Sequence, residues 1–149
     1  MPLPVDLSDA RCLELLRDGV IGRVALCSPL GPRIVPLTYA LRGDSVVWRT
    51  SPYSELALHG RDQELAFEVD HIDYERRQAW SVVAVGRCEA VDDPETAEQL
   101  GLASMPAPWA GGHRPLCMRL RWRSLTGRLV RTDQEATTRV DGSGAPARW

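Results

Sequence analysis

Arg49, Thr50 and Ser54 are the residues of this chain whose types and spacing suit chemistry, and that chemistry is anion binding. Arg49 carries a planar fork of donors that matches two phosphate oxygens. The Thr50 and Ser54 hydroxyls add further donors. All three lie in residues 46–60, which open with the β-branched run Val46-Val47, break at Ser51-Pro52 and resume as Glu55-Leu56-Ala57-Leu58 before Gly60. That pattern predicts a strand, a sharp turn and a short helix. A helix start presents unpaired N–H groups and the positive end of its dipole, so it favours an anion placed there.

Composition narrows the setting. The 149 residues are sized for one domain that buries its core without a metal or disulfide staple. A net charge of -2 and a pI near 5.9 give no general attraction to nucleic acid or to an anionic membrane. All 18 basic residues are arginine, so any anion site is built from guanidinium, hydroxyl and backbone groups. Cys12, Cys27, Cys88 and Cys117 are scattered, as are His59, His71 and His113, and neither set shows a zinc spacing. The first residues, Met1-Pro2-Leu3-Pro4-Val5-Asp6, lack the basic and apolar regions of a signal peptide, and no apolar run reaches membrane-spanning length. A cytoplasmic protein with reduced thiols is the expectation. The cysteines show no pattern of basic neighbours of the kind that implies a thiolate nucleophile.

The elements that must position the anion seat follow in order. Residues 10–19 form a packing helix capped by Ser8 or Asp9, stapled by Leu7 and ended by Gly19, with Cys12, Leu15 and Leu16 on one face. Residues 20–27 read as a strand in which Gly22 permits a close approach. A turn at Pro29-Leu30-Gly31-Pro32 leads to a return strand over 33–41, and Pro36 makes that strand an edge or a bulge. With the strand over 46–50, this is an antiparallel meander of the kind that closes on itself. Residues 64–70 alternate like a half-buried strand, and 71–77 are a polar loop. Residues 78–91 form the longest strand, bulged at Gly86. Asp93 and Pro94 open a helix through Leu100, an irregular loop around Trp109 follows, and residues 114–122 form the last strand. From about Thr132 the sequence turns polar without periodicity and reads as a flexible tail. Trp48, Trp80 and Trp122 are expected in the core, whereas Trp109 needs another surface. Arg23, Arg87 and Arg128 are expected to be solvated or to pair with Glu68 and Asp70.

Several short motifs appear together: Gly19-Val20-Ile21-Gly22-Arg23-Val24, Pro32-Arg33-Ile34-Val35-Pro36-Leu37-Thr38-Tyr39, Trp48-Arg49-Thr50-Ser51-Pro52-Tyr53-Ser54, Ala66-Phe67-Glu68-Val69-Asp70, Trp80-Ser81-Val82, Gly86-Arg87, Pro108-Trp109-Ala110 and Thr126-Gly127-Arg128. In order and spacing the chain resembles the pyridoxamine 5′-phosphate oxidase-like flavoproteins of the FMN-binding split β-barrel class, its small actinobacterial-type members in particular. The resemblance covers about residues 7–130.

It implies a mainly β fold with a few short helices: a six-stranded antiparallel split barrel over residues 1–131, with the tail over 132–149. It further implies a homodimer with FMN at the subunit interface. Arg49, Thr50 and Ser54 match the phosphate-binding segment. Pro36, Leu37, Thr38 and Tyr39 match the strand beside the isoalloxazine ring, with the Tyr39 hydroxyl expected at the cleft. Ser81 faces the flavin across the dimer, and Trp109 lies in the loop that closes over the cofactor. Relatives commonly carry Lys where this chain has Glu55, which replaces a cation by an anion near the phosphate; Arg61 could compensate. Cys117 stands where many members have an aromatic residue. The pyridoxamine phosphate-binding residues have no match, so that substrate is not implied. The function read here is an FMN-dependent oxidoreductase acting on a small organic molecule, with no general acid or base assigned. The alternatives are a reductase using the deazaflavin coenzyme (F-420 type) and a non-enzymatic flavin- or haem-binding dimer.

Overall fold

A computed structural model describes residues 3–132; the tail expected over 132–149 lies, apart from Thr132, outside the described residues. The elements are β1 (Val5–Asp6), α1 (Asp9–Asp18), β2 (Ile21–Ser28), β3 (Gly31–Thr38), β4 (Ala40–Arg42), β5 (Ser45–Thr50), α2 (Glu55–Gly60), β6 (Glu64–Asp73), β7 (Gln78–Ala90), α3 (Pro94–Gln99), a 3₁₀ turn (Leu102–Ser104) and β8 (Leu116–Arg131). Six long strands and two short ones make one antiparallel sheet ordered β3-β2-β6-β7-β8-β5-β4, with β1 added to β8. β3 and β4 are one run of chain interrupted at Tyr39, yet they sit at the two ends of that order. The sheet therefore curls round until a single split strand serves both of its borders, the split barrel expected from the sequence.

Period-2 alternation separates the faces. Val24 and Leu26 of β2, Leu65, Phe67 and Val69 of β6, Val82, Ala84 and Cys88 of β7, Met118 and Leu120 of β8, and Val46 and Trp48 of β5 point inward and are buried. α1 adds Cys12, Leu15 and Leu16, and α2 adds Leu56, to the same core. A smaller cluster lies outside the barrel, where Leu102 and the partly buried Ala97 and Leu100 cover Val47 and Cys117.

Local rules explain the boundaries. Ser8 caps α1, its hydroxyl accepting from the Arg11 amide at 3.3 Å, and Asp93 caps α3 through the Thr96 amide at 2.8 Å, with Pro94 in the first turn. Gly19 follows α1 with an extended backbone, φ -81°, so no left-handed turn requires glycine there. Proximity does: a Cβ would lie 2.2 Å from the Tyr39 hydroxyl. Pro36 falls on β3, the border strand, where its missing N–H costs no ladder bond on the open side. The bulge expected at Gly86 is present as a register shift between Val85 and Gly86.

Two strands outrun their sequence signals. β6 extends to Asp73 because His71, Ile72 and Asp73 pair with Trp80, Ala79 and Gln78 across the hairpin. β8 continues past Trp122 to Arg131, its alternation having been reset by the bulge opposite Val85 and Gly86.

Candidate functional site

The expected anion seat is built from β5, the turn after it and the start of α2. Ser54 caps α2, its hydroxyl accepting from the Ala57 amide at 3.2 Å. The Thr50 hydroxyl donates to the same Ser54 oxygen at 2.8 Å, and Thr50 is buried. These two residues are together. Arg49 is not with them: consecutive strand residues face opposite ways, and its guanidinium donates to the Leu102 carbonyl at 2.8 Å on the outer side, across from Cys117. Arg42 makes the matching contact two residues earlier, donating to the Leu100 carbonyl at 2.8 Å. Two arginines thus hold the segment after α3 against the barrel wall.

Glu55 turns to β3, where Arg33 Nε donates to it at 3.3 Å. Arg61, expected to offset Glu55, is instead paired with Asp92 at 2.6 Å. The neutralising cation is Arg33, which sequence reading missed because it lies 22 residues away on another strand.

The strand expected beside a ring divides by face. Leu37 packs on the core and Tyr39 is buried. The Tyr39 hydroxyl does not reach a cleft; it donates to the Leu16 carbonyl at 2.5 Å, and burial lifts its pKa to about 12. Its ring meets Phe67 edge-on at a centroid distance of 4.8 Å. Pro36 and Thr38 share the outer face with the exposed Ile34. The Thr38 hydroxyl accepts from the Trp109 amide at 3.4 Å, which ties the loop before β8 to this strand while leaving the Trp109 ring exposed.

Register aligns the rest of that outer face. Ile34 pairs with Ala25, Ala25 with Ala66, and Ala66 with Val85, a row of four small or branched apolar residues across four strands. One step along lie Pro36, Arg23, Glu68 and Val83, with Arg23 bonded to Glu68 at 3.0 Å and Asp70 at 2.8 Å. Of the three arginines expected to be solvated or to pair with those acids, Arg23 pairs with them, whereas Arg87 and Arg128 are exposed, facing Asp62 and Asp6. Ser81 is on the same face as Val83 and Val85, and it lines a cavity of about 520 Å³ with Asp6, Asp9, Thr126 and Arg128.

Two buried side-chain nitrogens have no hydrogen-bond partner among the described residues, Trp48 Nε1 and Arg114 Nε. The sequence places Arg114 at the start of the last strand, but β8 begins at Leu116 and Arg114 lies in the loop before it. The buried thiols are not activated: burial raises Cys12, pushes Cys88 up to about 12 and raises Cys117, although Arg49 pulls the last the other way. No helix among the described residues is long and apolar enough to cross a membrane.

Comparison with known proteins agrees with this architecture. Residues 8–129 match the family profile described as pyridoxamine 5′-phosphate oxidase. The Mycobacterium tuberculosis protein Rv0080, itself uncharacterized, is 30% identical over 96 residues, covering 61% of this chain and 63% of that relative, so the match spans less than two thirds of the relative's length. A FAD-binding protein of Mycobacterium smegmatis superposes with a TM-score of 0.72 at 25% identity, covering 86% of this chain and 99% of that one. A Corynebacterium glutamicum protein named for the pyridoxamine 5′-phosphate oxidases superposes with a TM-score of 0.75 at 22% identity, covering 91% and 98%. With the profile matched from the cap of α1 to Leu129 within β8, the chain belongs to the pyridoxamine 5′-phosphate oxidase family.

Proposed function

We propose that this protein binds a flavin nucleotide, FMN or FAD, in a groove between two copies of itself and acts as an oxidoreductase on a small organic substrate. The observation that carries the reading is the outer sheet face, where the row Ile34, Ala25, Ala66 and Val85 forms an apolar floor with Thr38 and Ser81 on the same face. A planar, largely apolar ring suits such a floor, and Thr38 and Ser81, two register steps beyond it past the Arg23–Glu68 pair, supply hydroxyls for the polar parts of the ligand. The smegmatis relative, whose name states FAD binding, supports the flavin; the resemblance in motifs supports FMN.

The same face supports a dimer. Ile34 is 69% exposed and Ile21 45% exposed, a cost in water that a second copy removes. Four free thiols, three of them buried, suit a reducing compartment, and we place the protein in the cytoplasm.

A bound flavin supplies hydride and single-electron transfer. The chain's own residues do the rest. The apolar row excludes water from one side of the ring. Thr38 holds the Trp109 loop at the rim through the 3.4 Å contact, so that the exposed indole can fold over a ligand. Thr50 and Ser54 fix the turn that begins α2.

An absorbance spectrum of freshly purified protein tests the reading, with titration by FMN, FAD and the deazaflavin coenzyme and a sedimentation measurement of mass. Bands near the flavin absorbances, or saturable uptake of FMN or FAD by a dimer, are expected. A colourless monomer that takes up neither would overturn it, and selective uptake of the deazaflavin would move the protein to the other cofactor class.

A further inference from the structure

A cavity of about 450 Å³ opens between the end of α1 and the break that separates β3 from β4. Its apolar walls include Leu13, Tyr39, Leu41 and Pro106, and its two charged groups are Arg17 and Arg42. No carboxylate among the described residues lines it. That volume is in the range of sites that hold small organic molecules. None of the residues of the flavin floor or of the Thr50–Ser54 corner lines this cavity, so it stands apart from the flavin reading.

The two arginines differ in how they are held. Arg42 is half-buried and fixed by carbonyls, its Nε donating to Leu100 at 2.8 Å and one terminal nitrogen to Leu41 at 2.9 Å. Its second terminal nitrogen has no hydrogen bond among the described residues. Arg17 is exposed in the last turn of α1, and neither it nor Arg42 pairs with a carboxylate among the described residues. The acids near them in sequence are engaged elsewhere, Glu14 with Arg11 and Asp44 with Arg121. Two influences oppose an anion here. Asp18 is exposed and off the lining, and the end of α1 carries roughly half a negative charge from its dipole. Two guanidiniums outweigh them, and the Tyr39 hydroxyl already covers the Leu16 carbonyl at the helix end. A positive rim over an apolar wall suits a ligand that is charged at one end and hydrocarbon at the other.

We propose that this cavity binds a small organic carboxylate with an apolar body. Arg42, already oriented by its two carbonyls, takes the carboxylate, and Arg17 covers it from the rim. Leu13, Leu41 and Pro106 receive the hydrocarbon part. An inorganic anion leaves those walls wet, and a neutral analogue leaves both guanidiniums unpaired.

Nuclear magnetic resonance titration of the full chain tests this with benzoate and hexanoate as probes, and with benzyl alcohol and inorganic phosphate as controls. Saturable shifts of the Gly19, Leu41, Arg42 and Gly43 amides are expected with the two carboxylates and not with the controls. Arg17→Gln is expected to weaken benzoate about three- to tenfold, and Arg17→Glu to weaken it further. Arg17→Lys retains most of the affinity. Arg17 makes no contact that holds the fold, so the three variants are expected to melt within a degree or two of wild type, which separates lost binding from lost structure. Absence of saturable shifts at these four amides with both carboxylates overturns the proposal. So do equal shifts with benzyl alcohol or phosphate, or an unchanged benzoate affinity in Arg17→Glu. Flavin uptake is expected to be the same in all these variants, so either outcome leaves the flavin reading to its own test.

Discussion

The Tyr39 hydroxyl donates to the Leu16 carbonyl at 2.5 Å, tying the break between β3 and β4 to the last turn of α1. The contact is possible because Gly19 leaves the space open: a Cβ there would sit 2.2 Å from the same oxygen. One glycine, one tyrosine and one carbonyl at a helix end therefore form a single packing unit. Tyr39→Phe is expected to cost about 1–2 kcal/mol, because it leaves a buried carbonyl unfilled. Denaturant unfolding measures this, and flavin affinity is expected to stay unchanged.

Alkaline stability follows from the same residue and from Cys88. Burial raises Tyr39 from 10.0 to about 12, with the Asp18 charge adding to it, and raises Cys88 from 9.0 to about 12, with Glu89 and Asp62 adding. The unfolded chain gives up both protons first. Their contribution is therefore fully present below pH 9, falls as pH rises, and is lost as pH passes the folded values near 12. Each group contributes a slope of up to about 1.4 kcal/mol per pH unit. Stability measured across this range should drop less steeply above pH 10 in Tyr39→Phe than in wild type; parallel curves would contradict the assignment.

Gly86 sits at the register shift between β7 and β8, and a Cβ there would lie 1.8 Å from the Arg121 carbonyl oxygen. Backbone cannot yield as a side-chain tip can. Gly86→Ala is expected to destabilise by about 3 kcal/mol. Gly111→Ala serves as the control, since a Cβ meets nothing within 4 Å there. Melting temperatures of the two variants check the contrast.

Arg42 fixes the Leu100 carbonyl at 2.8 Å, at the end of α3, where helix carbonyls lack partners. Arg42→Ala is expected to loosen residues 94–105 at a local cost of about 1–2 kcal/mol. Hydrogen exchange should quicken across that segment and stay slow in β6 and β7. Uniform acceleration would show that the clamp supports the whole barrel.

Much of the fold was legible because strand signals here are local. Pro36 marked a border strand, Gly86 a bulge, and the pairs Ser8/Gly19 and Asp93/Pro94 marked helix limits. The second half of β8 was hidden because the bulge and Gly127 interrupt the alternation on which a strand reading depends. At the site, the motif naming Arg49, Thr50 and Ser54 located one corner, yet it placed neighbouring strand residues on one ligand. The two-residue repeat sends Arg49 outward and Thr50 inward. Arg33 and Tyr39 took roles that depend on contacts 22 and 23 residues distant, which no window of sequence contains.

The single run of chain from Gly31 to Arg42 has a mechanical consequence. Peeling β3 from β2 pulls on Tyr39 and, through it, lifts β4 from β5. Neither margin can fray while the other holds, so heat or denaturant meets a hoop and not a ribbon, and the wall is expected to give way all at once.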